Sequence, residues 1–334
     1  MTLTSSQLFL ALITLALIVT SSFVITYHVV LYVVTEGTKT KISLSISVKK
    51  LSSPILRPSG EGYDAKAVYN PSVVRLENGT YLMFYRAQAS WRGTSVIMMA
   101  KSYDGIHFNR TGIVALEPTL KEELLGGCED PRIVKVNDTW YMTYTAYDGK
   151  VARLALAVSK DLMHWEKLGI LFPEWGWSKS GAILPVKIRG KYVMYFGDSN
   201  IWIAYSEDMV HWIASKDWVV LRPRPGYFDS KLVEPGSPPI LTEKGILLIY
   251  NGANELNVYS TGWVLFSLDD PSKVIARSEE PILKPEQLWE VMGQVPNVVF
   301  TTSLIVVNRS TWYIYYGAAD TYVGLAKANV SIAN

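Results

Sequence analysis

The chain has 334 residues, with 32 Lys and Arg against 30 Asp and Glu. So even a balance offers no basic face for a polyanion and excludes nucleic acid as an expected partner. A single cysteine, Cys128, excludes a disulfide framework and a thiolate metal cluster, whereas 11 Trp and 20 Tyr suit β-structure and the stacking of sugar rings.

The first 35 residues carry no Asp, Glu, Lys or Arg, and Leu8 to Val34 is almost continuously apolar. That run exceeds the ~20 residues needed to cross a bilayer and lacks the basic leader of a signal peptide. It predicts a single membrane helix anchoring the chain through residues 8–34, within a segment 1–35. Lysines at 39, 41, 49 and 50 favour a cytoplasmic placement of the C-terminal part. Five N-x-S/T sequons, at Asn78, Asn109, Asn137, Asn308 and Asn329, weigh the other way. The expectation is a single-pass membrane protein with an extracytoplasmic, glycosylated catalytic domain.

Residues 36–60 form a Ser/Lys-rich connector, after which the sequence repeats itself. Ser102-Tyr-Asp-Gly-Ile-His-Phe108, Ser159-Lys-Asp-Leu-Met-His-Trp165 and Ser206-Glu-Asp-Met-Val-His-Trp212 are versions of one phrase. Tyr-rich runs of period two precede each of them: 81–86, 140–145 and 192–196. Two further runs lie at 246–250 and 312–316. Such alternation bounded by Gly, Asn and Asp predicts strands, and units of roughly 45 to 60 residues predict a propeller. Residues 61–330 are therefore expected to be an all-β, five-bladed β-propeller. His107, His164 and His211 recur at equivalent places, which marks them as turn residues rather than catalytic or metal-binding groups.

In such a ring, chemistry falls to polar residues that break the repeat near the axis. Asp130, Glu234, Glu290 and Asp320 lie close to Pro or Gly at predicted strand edges, in different units. Several carboxyl groups converging there would suit glycoside cleavage, which needs a proton donor and a second group that activates the nucleophile. Capping of turns is the alternative role for each acid taken singly. Asn70, in Tyr69-Asn-Pro-Ser72, and Arg86, at the end of a Tyr-rich run, also break the pattern.

These runs carry a resemblance. Glu129-Asp-Pro-Arg132, Tyr141-Met-Thr-Tyr-Thr-Ala146, Pro238-Pro-Ile240, the segment from Glu290 to Phe300 and Tyr315-Tyr-Gly-Ala-Ala-Asp320 together resemble glycoside hydrolase family 130. The resemblance spans residues 60 to 328. It implies an inverting enzyme acting on a mannose-containing oligosaccharide or glycan, with no metal and no cofactor beyond inorganic phosphate if it is a phosphorylase. Asp130 matches the general acid, which passes its proton through a mannose hydroxyl. Asn70, Arg86 and Asp320 match residues that hold the mannose or line the nucleophile's pocket, Glu290 belongs to a shared substrate-side motif, and Lys179 and Arg153 fall where phosphorylases hold phosphate. Where phosphorylases of the family carry a His-Arg pair, this chain reads Phe196-Gly-Asp-Ser-Asn200, and Glu234 adds another acid. A carboxylate repels phosphate but can serve water as a base. Both departures therefore lead to the expectation of a β-mannoside hydrolase with Glu234 as base. A β-mannoside phosphorylase and a non-catalytic sugar-binding propeller are the alternatives.

Overall fold

The computed structural model describes residues 25–35 and 38–333. After an N-terminal hairpin of β1 (Ile25–Thr35) and β2 (Thr38–Lys50), four-stranded antiparallel units follow one another. The first is β3 (Ala67–Arg75), β4 (Tyr81–Gln88), β5 (Ser95–Ser102) and β6 (Asn109–Leu116). The second is β7 (Gly127–Val136), β8 (Thr139–Tyr147), β9 (Ala152–Ser159) and β10 (Glu166–Ile170). The third is β11 (Ala182–Ile188), β12 (Lys191–Phe196), β13 (Ile201–Ser206) and β14 (Trp212–Leu221). In the fourth, β15 (Leu232–Pro235) and β16 (Ile240–Thr242) share one edge of β17 (Gly245–Ala253), followed by β18 (Tyr259–Phe266) and β19 (Val274–Arg277). The fifth holds β20 (Val299–Val306), β21 (Thr311–Ala318) and β22 (Tyr322–Ala333).

Every Tyr-rich run is the second strand of a unit, apolar on both faces because both are covered. In β4, Leu82 and Phe84 face the second unit, whereas Tyr81, Met83 and Tyr85 face the fifth. Three further apolar clusters fill the gaps between units two and three, three and four, and four and five. The five interfaces close a ring, giving an all-β, propeller-like fold. The repeated phrase forms the turn from third to fourth strand. In the first copy the Asp104 carboxylate accepts from the backbone N–H groups of Ile106 and His107, both at 2.8 Å. Its second oxygen meets His107 Nδ1 at 2.6 Å, and His164 and His211 repeat the arrangement.

The N-terminal expectation is corrected. Ile25–Thr35, the latter part of the apolar run, is a strand paired antiparallel with β2. Its β-branched and aromatic content suits a strand. Among the described residues no helix is long and apolar enough to cross a membrane. The membrane anchor and the single-pass, extracytoplasmic placement built on it therefore do not hold; residues 1–24 of that segment lie outside the described residues. Nor is 36–60 merely a connector, because β2 pairs with β22 and completes the fifth unit.

Four units share a buried clamp. A carboxylate ahead of the first strand receives a Tyr hydroxyl from the second strand and a cation from the outer one. The sets are Asp64, Tyr85 and Arg110; Glu123, Tyr144 and Lys167; Asp229, Tyr250 and Arg277; and Glu290, Tyr316 and Lys50. Glu290 is fully buried, 2.7 Å from Lys50 Nζ and 2.8 Å from the Tyr316 hydroxyl, and it also accepts the backbone N–H groups of Glu286 and Gln287. The structure thus gives this acid a fold role rather than a place among the axial carboxylates. Glu290→Gln takes from Lys50 its buried charge partner, leaving only the more exposed Glu286 at 3.1 Å, and should cost about 3 kcal/mol. Thermal melting should fall by roughly 5–10 °C, while KM for substrate stays unchanged in the folded protein; a raised KM with normal melting would return Glu290 to the substrate.

Candidate active site

The first strands of the units end at the axis with irregular backbone. Pairing of β3 with β4 slips between Tyr69 and Ser72, and that of β7 with β8 slips between Glu129 and Arg132. The slips place Asn70 and Asp130 in the left-handed region, at φ 46° and 51°, each followed by a proline. Such bulges re-aim a side chain out of its sheet, and non-glycine residues in this region store strain that surrounding contacts must hold. Asp320, at φ 49°, and Ser180, at φ 57°, share the conformation.

Asn70 Nδ2 donates to Asp130 Oδ1 at 2.8 Å, and Arg86 Nη1 lies 3.4 Å from the same oxygen. The other arm of Arg86 pairs closely with Glu129, its Nε donates to Ser95 Oγ at 2.9 Å, and its guanidinium covers the Tyr69 ring. On the other side of the cluster, Lys179 Nζ is 3.2 Å from Glu234 and 3.7 Å from Asp198. Ser180 Oγ donates to Glu234 in a short hydrogen bond, and Trp177 Nε1 donates to Asp198 at 2.7 Å. Asn70 packs so tightly on Gly317 that a Cβ there would collide with Asn70 Oδ1, which explains the glycine in Tyr315-Tyr-Gly-Ala-Ala-Asp320.

The environments push these acids apart. Burial raises Asp320 to about 6 against the opposing pull of Arg86, and burial raises Glu129 to about 7 despite the same guanidinium. Burial likewise raises Glu234, with Lys179 opposing it. For Asp130 burial is outweighed by Arg86, Lys179 and the Asn70 amide, so this carboxyl stays below its ordinary range. A split of this kind supports distinct acid and base roles. It also carries a stability consequence. The folded chain keeps the Asp320 proton up to about pH 6, whereas the unfolded chain releases it near 4. Stability from this group therefore falls as pH rises between those values. Asp320→Asn should melt higher than the parent at pH 8 and alike at pH 4; equal melting at both would mean Asp320 ionises normally.

The structure thus brings together Asn70, Arg86, Asp130, Lys179, Glu234 and Asp320. Arg153 instead pairs with Asp148 at 2.7 Å, beside its own strand. The run from Glu129 to Arg132 supplies two residues besides Asp130: Glu129 joins through Arg86, and Arg132 from below. Both stand in the run quoted for the resemblance, but nothing there separates their roles from that of Asp130, and Ser95 carries no signal at all. Among the described residues no group of His, Cys, Asp and Glu is arranged to hold a metal ion.

A family model, glycoside hydrolase family 130, described as beta-1,4-mannooligosaccharide phosphorylase, matches residues 50–333. The chain belongs to glycoside hydrolase family 130. It is 41% identical to the 1,2-beta-oligomannan phosphorylase of a Thermoanaerobacter species, over 84% of this chain and 97% of that protein. It is 40% identical to a beta-1,2-mannobiose phosphorylase of the same organism, over 82% of this chain and 94% of the relative. A solved structure at 32% identity and TM-score 0.76, covering 89% of this chain and 93% of its own, comes from work on family members that are "glycoside hydrolases that target beta-1,2 mannosidic linkages in Candida mannan". The family therefore acts on mannosides by two routes, and the geometry around Lys179 bears on which one applies.

Proposed function

We propose that the chain is an inverting phosphorylase that cleaves β-1,2-linked mannosides with inorganic phosphate and releases mannose 1-phosphate. The observation that carries this reading is the 41% identity to a 1,2-beta-oligomannan phosphorylase along 97% of that relative. It replaces the expectation of hydrolysis, which rested on the missing His-Arg pair at 196–200 and on Asp198 and Glu234 as charges that would repel phosphate. Lys179 pairs with both, and Ser180 also bonds Glu234. Glu234 is thus engaged as a partner of the lysine rather than free as a base for water.

In this reading Arg86 and Lys179 supply the positive charge that a phosphate dianion needs. A phosphate oxygen attacks the anomeric carbon as the glycosidic bond breaks, and the leaving oxygen takes a proton that originates at Asp130. The free site holds Asp130 as a carboxylate. Phosphate arriving beside Lys179 offsets part of the positive field, raises the Asp130 pKa and so loads the proton together with the substrates. Asn70 and Asp320 hold the mannose.

The test is β-1,2-mannobiose incubated with the protein, with and without phosphate. Phosphate-dependent mannose 1-phosphate is the expected product. Free mannose formed equally without phosphate would establish the hydrolytic route that Asp198, an acid beside Lys179, otherwise favours.

A further inference from the structure

Arg132 lies beneath the site, only 2% exposed. Its Nε donates to the carbonyl of Gly236 at 2.6 Å and its Nη2 to the carbonyl of Pro235 at 2.7 Å. The third arm, Nη1, reaches back to the carbonyl of Asp130 at 3.2 Å. These acceptors belong to different units: β7 is in the second, and Pro235 ends β15 in the fourth. The third unit lies between them in the ring, so the link can run only through the axis. A buried guanidinium ordinarily meets a carboxylate, but here all three bonded acceptors are backbone carbonyls. The planar fork matches two successive carbonyls, a geometry that an ammonium group cannot reproduce. Gly236 is fitted to this junction, since a Cβ there would stand 2.5 Å from the carbonyl oxygen of Ile249.

We infer that Arg132 is a positioning residue, fixing the span between Asp130 and Glu234 by tying their strands together across the axis. One end of the tie is the strained backbone of Asp130, and the other is the residue that follows Glu234 and its neighbour. In-line displacement requires the proton source and the nucleophile's pocket to stand at a fixed distance on either side of the anomeric carbon. Small misplacement of such groups costs rate rather than affinity. The inference rests on the proposed roles of Asp130 and of Lys179, whose partner is Glu234.

The experiment compares Arg132→Lys and Arg132→Met with the parent, recording melting, kcat, both KM values and the pH profile of kcat/KM. Arg132→Lys keeps the charge but loses the fork. It should lower kcat at least ~10-fold with both KM values within ~3-fold, and leave the Asp130-linked limb of the profile in place. Arg132→Met also removes a cation from beneath Asp130, so that limb should move to higher pH. Parental kcat and pH profile in both folded variants would overturn the inference. So would a loss confined to KM for phosphate, which would make Arg132 a phosphate ligand. Failure of both variants to fold would overturn it too, making Arg132 a requirement for ring assembly. The parent is assayed first: if it releases only free mannose, the phosphorolysis reading falls, and the Arg132 comparison is read on mannose release instead.

Discussion

Asp130→Asn should lower kcat about 10³-fold or more, the contribution expected of a positioned proton donor, and leave the ring assembled. The amide keeps the shape and an acceptor for Asn70 Nδ2, which lies 2.8 Å away, but has no proton to deliver. A second effect identifies the cause. Burial works to raise this carboxyl, and Arg86, Lys179 and Asn70 outweigh it, leaving the folded pKa below the unfolded one. A depressed carboxylate contributes stability above its unfolded pKa and loses it as pH falls through the folded value. The Asn variant should therefore melt below the parent at pH 7, with the gap closing below about pH 4. Mannose 1-phosphate release and thermal melting across pH check both parts. Activity within tenfold of the parent would remove Asp130 as the proton source.

Lys179→Met should raise KM for phosphate by about 10- to 100-fold, the range for one lost hydrogen bond to a charged group, with little change in KM for mannobiose. The lysine stands 3.2 Å from Glu234 and 3.7 Å from Asp198, so its loss also leaves two carboxylates facing each other. Lys179→Arg should retain more of the phosphate affinity than Lys179→Met, because it keeps the charge. Phosphate saturation curves at fixed mannobiose decide the matter. An effect on mannobiose alone would place the anion elsewhere.

Much of the ring was legible because its signal is local. Period-two runs of Tyr and apolar residues identified the second strand of every unit, and the recurring Asp-x-x-His phrase marked the turns from third to fourth strand. The N-terminus misled for a related reason: a run of Val, Ile, Leu and Tyr is apolar enough for a membrane and branched enough for a strand. The alternation of β2 is visible in Ile42, Leu44, Ile46 and Val48 between Ser43, Ser45, Ser47 and Lys49, yet its serine and lysine content resembles that of a connector. At the site, the X-Pro runs drew attention to Asn70 and Asp130, which the structure brings within a hydrogen bond of each other. Glu290 was misplaced because an acid near glycine looks alike at the axis and in a clamp. Its recurrence with Asp64, Glu123 and Asp229 ahead of the first strands was the available clue. Arg132 was hidden because its partners are carbonyls of another unit, which no local spacing encodes.

The pairing of β2 with β22 governs how this protein can be made. Lys50 must wait for Ala326, its partner across the seam. At synthesis rates of ~5–20 residues per second, that wait lasts tens of seconds. Asp320, in the turn between β21 and β22, leaves the ribosome well after Asp130. The nascent protein can pack its middle units on one another but holds neither a latched ring nor a complete set of axial acids. A complete set of axial acids therefore forms only in the step that joins β22 to β2.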